Sequence, residues 1–150
     1  MKLHKIEDVK EFMELLFLKE SFDKFCMAGM ELKTIVTFSA DGKLAADWLE
    51  EEDRERYASF DYVPWKLFRP IAFSLIRGKQ TPRFMRIQFV YYMENGDHGG
   101  LRIQYENGEL TCMSSFTTAQ FSMDKSSEQM WDENCITFLK KNKIVSTQLS

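Results

Sequence analysis

Hydrophobic and polar positions follow two periods along this chain, and the switches between them mark its elements. Leu3 and Ile6 suggest a short opening strand. From Glu7 the period is helical: Val9, Phe12, Met13, Leu16 and Phe17 share one side, and Glu7, Lys10, Glu11 and Glu14 the other. Glu7 and Asp8 suit the positive end of a helix dipole, so a helix is predicted over residues 7–19. Between residues 25 and 38 the period falls to two, with Met30, Leu32, Thr34, Val36 and Phe38 opposite Glu31, Lys33, Ile35 and Thr37. Asp41-Gly42 tolerates the positive φ of a tight hairpin, and residues 43–49 form the expected return strand. The acidic run Glu50-Glu51-Glu52-Asp53 then opens a short exposed helix or loop.

Pro64-Trp65 starts a turn or short helix. Pro70 disfavours helix at Arg69, so the main helix is expected to begin at Pro70 and to stop at Gly78. Over residues 83–93, Met85, Ile87, Phe89 and Tyr91 alternate with Phe84, Arg86, Gln88, Val90 and Tyr92, a strand with aromatic groups on both sides. A glycine-rich turn is expected over residues 94–100. Leu101, Ile103 and Tyr105 mark the next strand, and Asn107-Gly108 is a hairpin signal. The partner strand starts at Glu109 and continues, past an irregularity near Ser114, to Phe121. Ser126 and Gln129 resemble a capping box for a last helix. Its stripe is Met130, Trp131, Asn134, Cys135, Phe138 and Leu139, and residues 145–150 read as a frayed tail.

The elements order as α-β-β-α-β-β-β-α, which predicts one α+β domain with a single five-stranded antiparallel sheet and packed helices. By analogy that order is profilin/roadblock-like. If Leu3 to Ile6 pairs as a strand, the alternative is half of a DNA-clamp-like ring. Fold does not fix function.

Composition adds a core and a compartment. At 150 residues the chain is long enough to bury a continuous core, and its 13 Phe predict an aromatic one. Cys26, Cys112 and Cys135 are odd in number and include no Cys-x-x-Cys pair, so they read as reduced thiols of a cytoplasmic protein. No apolar run has the length of a membrane span, and the N-terminus does not read as a signal peptide.

Charge changes the picture more. Residues 62–93 hold six basic side chains (Lys66, Arg69, Arg77, Lys79, Arg83 and Arg86) and no acid, a net of +6. Residues 1–61 carry −6 and residues 94–150 carry −3, so an overall −3 conceals a basic middle. Arg77, Lys79, Arg83 and Arg86 surround one helix-to-strand turn and are the candidate contacts for a phosphate-bearing ligand, nucleic acid or acidic partner. Phe84, Tyr91 and Tyr92 interleave with them, as in single-strand binders. Neutralisation by the acidic N-terminal half is the competing reading. Arg69 is expected to pair with an acid, and Trp65, beside Pro64 and Lys66, is the candidate interface residue or a packed one.

Trp65-Lys66, Leu67, Arg69-Pro70, Phe73, Leu75-Ile76, Gly78 and Thr81-Pro82 form an ensemble with Leu101 to Tyr105, Gly108, Asp124-Lys125-Ser126, Glu128 and Trp131-Asp132. Together they resemble a family of uncharacterised small proteins of Gram-positive anaerobic bacteria, a domain of unknown function. The resemblance covers most of the chain and implies that residues 65–82 are a family hallmark. It implies no activity.

Catalytic and metal chemistry find little support. His4 and His98 have no evident orienting partner, and Cys112 and Cys135 lie at positions where buried thiols belong. Asp97-His98 with Glu94 is better explained as turn polarity than as a metal site, and the run from Glu50 to Asp53 lacks the pattern of a calcium loop. Gly78-Lys79-Gln80-Thr81 lacks the upstream glycine of a P-loop. No catalytic residue, metal or cofactor is therefore expected. The function expected is a non-enzymatic binding or self-association module with a protein partner or second copy; the alternative is a nucleic-acid or phosphate-ligand binder, and an enzyme ranks last.

Overall fold

The computed structural model describes residues 1–78, 81–121 and 123–150. In chain order its elements are β1 (Leu3–Ile6), α1 (Val9–Leu18), β2 (Cys26–Lys33), β3 (Thr37–Ala40) and a 3₁₀ turn (Ala46–Trp48). There follow α2 (Glu51–Arg56), β4 (Val63–Pro64), α3 (Trp65–Ile76), β5 (Phe84–Tyr92), β6 (His98–Glu106), β7 (Glu109–Thr117), α4 (Ser126–Lys141) and β8 (Ser146–Gln148). The strands form one antiparallel sheet in the order β3-β2-β5-β6-β7-β1-β8, with β4 also paired to β2.

The α+β class stands, but the five-stranded layout is corrected: the sheet has 8 strands among the described residues. The profilin/roadblock analogy rested on the five-stranded order and falls with it, whereas Leu3–Ile6, on which the half-clamp alternative depended, does pair, with β7 and β8. Three local causes account for the difference. The even alternation over residues 30–38 hides a reversal, because Thr34, Ile35 and Val36 carry the turn without Gly, Pro or Asn. There the Thr34 amide donates to the Val36 carbonyl at 2.9 Å, and β3 folds back on β2 with Met30 opposite Ala40.

Residues 43–49 consequently form no return strand; Lys43 makes a single bridge to Tyr62. Finally, residues 146–148 are a strand rather than a frayed tail. Thr147 lies opposite Lys5, the Leu149 amide donates to the Leu3 carbonyl at 2.7 Å, and the Thr147 hydroxyl donates to Glu7 at 2.8 Å.

Helix ends differ from the pattern in instructive ways. Asp8 caps α1 by accepting the Glu11 amide at 3.0 Å. At α4 the side chain that organises the start is Asp124, not Ser126: it accepts both the Ser126 amide and the Ser126 hydroxyl. Helix α3 begins at Trp65 and runs through Pro70. Trp65 is fully buried and its indole N–H donates to the Leu16 carbonyl at 3.0 Å, which anchors the first turn. Pro70 is exposed, so the carbonyl it leaves without an intrahelical donor meets water.

Strand alternation sorts the sheet into two faces. Met85, Ile87, Phe89, Leu101, Ile103, Leu110 and Cys112 are buried and point to the helices. The core is aromatic as expected: Phe89 stacks on Phe22 at 5.4 Å between ring centres and meets Trp65 edge-on at 5.1 Å. The other face carries Glu31, Arg86, Gln88, Arg102 and Gln104.

Two adjacent glycines serve the two faces of β6, so β6 starts at His98 where a loop was expected. A Cβ on Gly99 would lie 2.2 Å from the Trp131 ring, and one on Gly100 would lie 2.3 Å from the Ser115 hydroxyl oxygen. Trp131 also donates its indole N–H to the Gly100 carbonyl at 3.0 Å, locking α4 to the sheet.

Candidate functional site

An apolar concavity grows out of a backbone constraint at Gly42. Its φ is +75°, and a Cβ there would lie 2.1 Å from the Met27 carbonyl oxygen, so only glycine lets the chain run this close to β2. From that point the chain is pinned outward: the Val63 amide donates to the Gly42 carbonyl at 2.8 Å, and the Leu44 amide to the Asp61 carbonyl at 3.0 Å. Residues 43–49 therefore stand away from α3 and leave a cleft of about 630 Å³ between them. Leu44, Trp48 and Leu49 line one wall; Leu67, Phe68 and Ile71 of α3 line the other.

Two side chains make this cleft unusual. Trp48 is 86% exposed and Ile71 is 55% exposed, although both are large apolar groups beside a cavity. Trp48 is nevertheless carried on a fixed turn, because the Arg54 guanidinium donates to the carbonyls of Asp47 at 3.2 Å and Leu49 at 2.9 Å. The charged residues that line the cleft are Asp41 and Lys43, and the segment that carries the Trp48 wall is acidic along the chain. Residues 41–56 contain seven acids and three bases, a net of −4. The cleft is mostly apolar and lies within the volume range of ordinary ligand pockets.

The described candidate basic residues lie at a helix end, just before a strand and within that strand. Arg77 is exposed at the C-terminal end of α3, and Arg83 is exposed just before β5, with its amide donating to the Lys33 carbonyl. Arg86 projects from the open face, 3.6 Å from Glu31. The small cavity beside it is also lined by Gln88 and Arg102, but neither Arg77 nor Arg83 reaches it. Lys79 lies outside the described residues. Arg69 makes the expected pair, two donated hydrogen bonds to Asp23 at 3.2 and 3.1 Å. Trp65, the candidate interface residue, is corrected to a core residue, since its ring lies between Phe17, Phe68 and Phe89.

The thiols are sealed. Burial pushes Cys26 up to about 11, Cys135 up to about 12 and Cys112 higher still, so each stays protonated at neutral pH. His4, not His98, is the histidine near them, directly opposite Cys112 across β1 and β7. It is 4% exposed and its Nε2 has no hydrogen-bond partner. Among the described residues no cluster of His, Cys, Asp and Glu is placed to hold a metal ion. His98 instead faces an open-face hollow of about 430 Å³ with Tyr92, whose rings are 5.7 Å apart. Burial, then the Asp61 charge, raises the Tyr92 hydroxyl to about 12, so it remains a hydrogen-bond donor.

Sequence reasoning assigned no role to Trp48 or Ile71. The pattern predicts a return strand over residues 43–49, and the available signal was a tryptophan in its acidic and alanine-containing segment, Ala45-Ala46-Asp47-Trp48.

A family model described as a family of unknown function, DUF5721, matches residues 15–146. The chain belongs to that family. The DUF5721 match spans both walls of the cleft, the hallmark segment of α3 and all of α4. No curated protein and no solved structure matches the chain. Among the described residues no helix is long and apolar enough to cross a membrane.

Proposed function

We propose that this protein is a non-enzymatic binding module whose apolar cleft receives a short segment of a partner protein, apolar on one side and basic at its flanks. The exposed Trp48 at the mouth of the cleft is the observation that carries this reading. A rigidly held tryptophan left in water costs solubility and earns nothing inside the monomer, whereas a partner side chain entering the cleft would bury it. The net −4 of residues 41–56, the segment that carries Trp48, is the basis for the charge preference.

The test uses two synthetic amphipathic peptides, one of lysine and leucine and one of glutamate and leucine, followed by fluorescence anisotropy. The lysine peptide is expected to bind, more weakly at higher salt. Ile71→Glu should weaken it by about tenfold or more, while Phe121→Ser, an exposed apolar position outside the cleft, should leave it unchanged. Equal binding of both peptides, or indifference to Ile71→Glu, would overturn the reading. Sedimentation at two concentrations tests the competing occupant: a dimer lost in Ile71→Glu would put a second copy in the cleft instead.

A further inference from the structure

A second groove, sharing no lining residue with the cleft, runs between the segment after α1, the end of β5 and the C-terminal half of α4. Its volume is about 510 Å³. Lys24 and Lys141 both line it, together with the aromatic residues Tyr91, Trp131 and Phe138. Tyr91 stacks on Trp131, with ring centres 5.8 Å apart and planes 18° from parallel. Ser21, Asn134 and Thr137 supply polar groups along the sides.

The charges in this groove are not balanced. Among the described residues neither Lys24 nor Lys141 makes an ion pair. The acid beside Lys24 in sequence, Asp23, is already occupied by the two hydrogen bonds from Arg69. Asp132 of α4 is turned the other way, accepting the Ser114 hydroxyl. What holds Lys24 in place is aromatic: its ammonium lies 4.5 Å from the centre of the Phe138 ring and 5.5 Å from that of Phe25. Lys141 sits in the last turn of α4, where the helix carbonyls attract a cation. These contacts position both ammonium groups without supplying a counter-charge. Burial, and after it the Lys141 charge, lowers the Lys24 pKa from its ordinary value, with Cys135 acting weakly the other way. By contrast, Arg69 and Arg86 each have an acid within ion-pair distance.

We propose that this groove binds a small organic anion, a phosphomonoester carrying a flat ring, with Lys24 and Lys141 on the phosphate and the ring against Tyr91 and Phe138. Two cations facing one space call for a divalent anion. A bare phosphate would leave most of the volume and all of the aromatic lining in water.

Titration calorimetry with phenyl phosphate, adenosine monophosphate, inorganic phosphate and phenol separates the contributions. The two aromatic phosphates should bind more tightly than inorganic phosphate, and phenol should not bind measurably. Lys24→Gln and Lys141→Gln should each weaken phenyl phosphate by about tenfold, whereas Lys125→Gln, on the exposed start of α4, should not. Phenyl phosphate and adenosine monophosphate together distinguish a simple aromatic ester from a nucleotide. Binding that survives both substitutions would overturn the proposal, as would inorganic phosphate binding as well as its aromatic esters.

Discussion

At Gly99 the absence of one methyl group decides where a helix sits. The Trp131 ring occupies the space that a Cβ would fill, and its indole reaches past Gly99 to the Gly100 carbonyl. Gly99→Ala is expected to cost about 1–3 kcal/mol through overpacking and to lift α4 from the sheet, visible as a lower urea midpoint and weaker near-ultraviolet circular dichroism. His4 acts at the same scale through its charge. Burial lowers its pKa below 6.5, the Asp132 charge partly opposes that, and Lys2 adds to the lowering. Below pH 6.5 the unfolded chain takes up a proton that the folded one resists, so stability falls with pH until the folded-state pKa is passed. Melting curves between about pH 8 and pH 5.5 should show this slope, and His4→Leu should flatten it. Neither residue's role was legible beforehand. Gly99 read as loop composition and His4 as a mobile terminus, because the partners that define them, Trp131 and Cys112, are distant in sequence.

Among the elements, legibility followed how local the determining interactions are. Helix α1 and the meander β5-β6-β7 match their predicted periods, and the hairpin at Asn107-Gly108 forms with φ of +53° and +77° at those two residues. The reversal at residues 34–36 escaped because its β-branched residues continue the strand alternation. Helix α3 escaped in the opposite direction. Local rules start it at Pro70, but burial of Trp65 and the Arg69–Asp23 pair extend it a turn earlier. The helix therefore retains the cost of an internal proline. Pro70→Ala should stabilise the protein by about 1–2 kcal/mol, the lost helix penalty less the greater freedom of the unfolded chain, measured as a higher urea midpoint. A lower midpoint would mean that the packing of α3 depends on Pro70.

For the whole molecule, the basic stretch so plain along the chain is carried by several elements. Among its described residues Arg77 follows α3, Arg69 pairs with Asp23 and Arg86 lies on the open sheet face, and the proposed sites are built from other residues. Their walls come from segments far apart in sequence, which a one-dimensional pattern does not bring together. The β1–β8 pairing has a practical consequence of its own. His4 lies opposite Gln148, so the two ends of the chain leave from one margin of the sheet, while the cleft opens beside β3 at the other. Six strand spacings separate these margins, on the order of 25–30 Å along the sheet. A surface, label or fused protein joined at either end would thus stand away from the cleft, so the molecule can be tethered with its mouth facing outward.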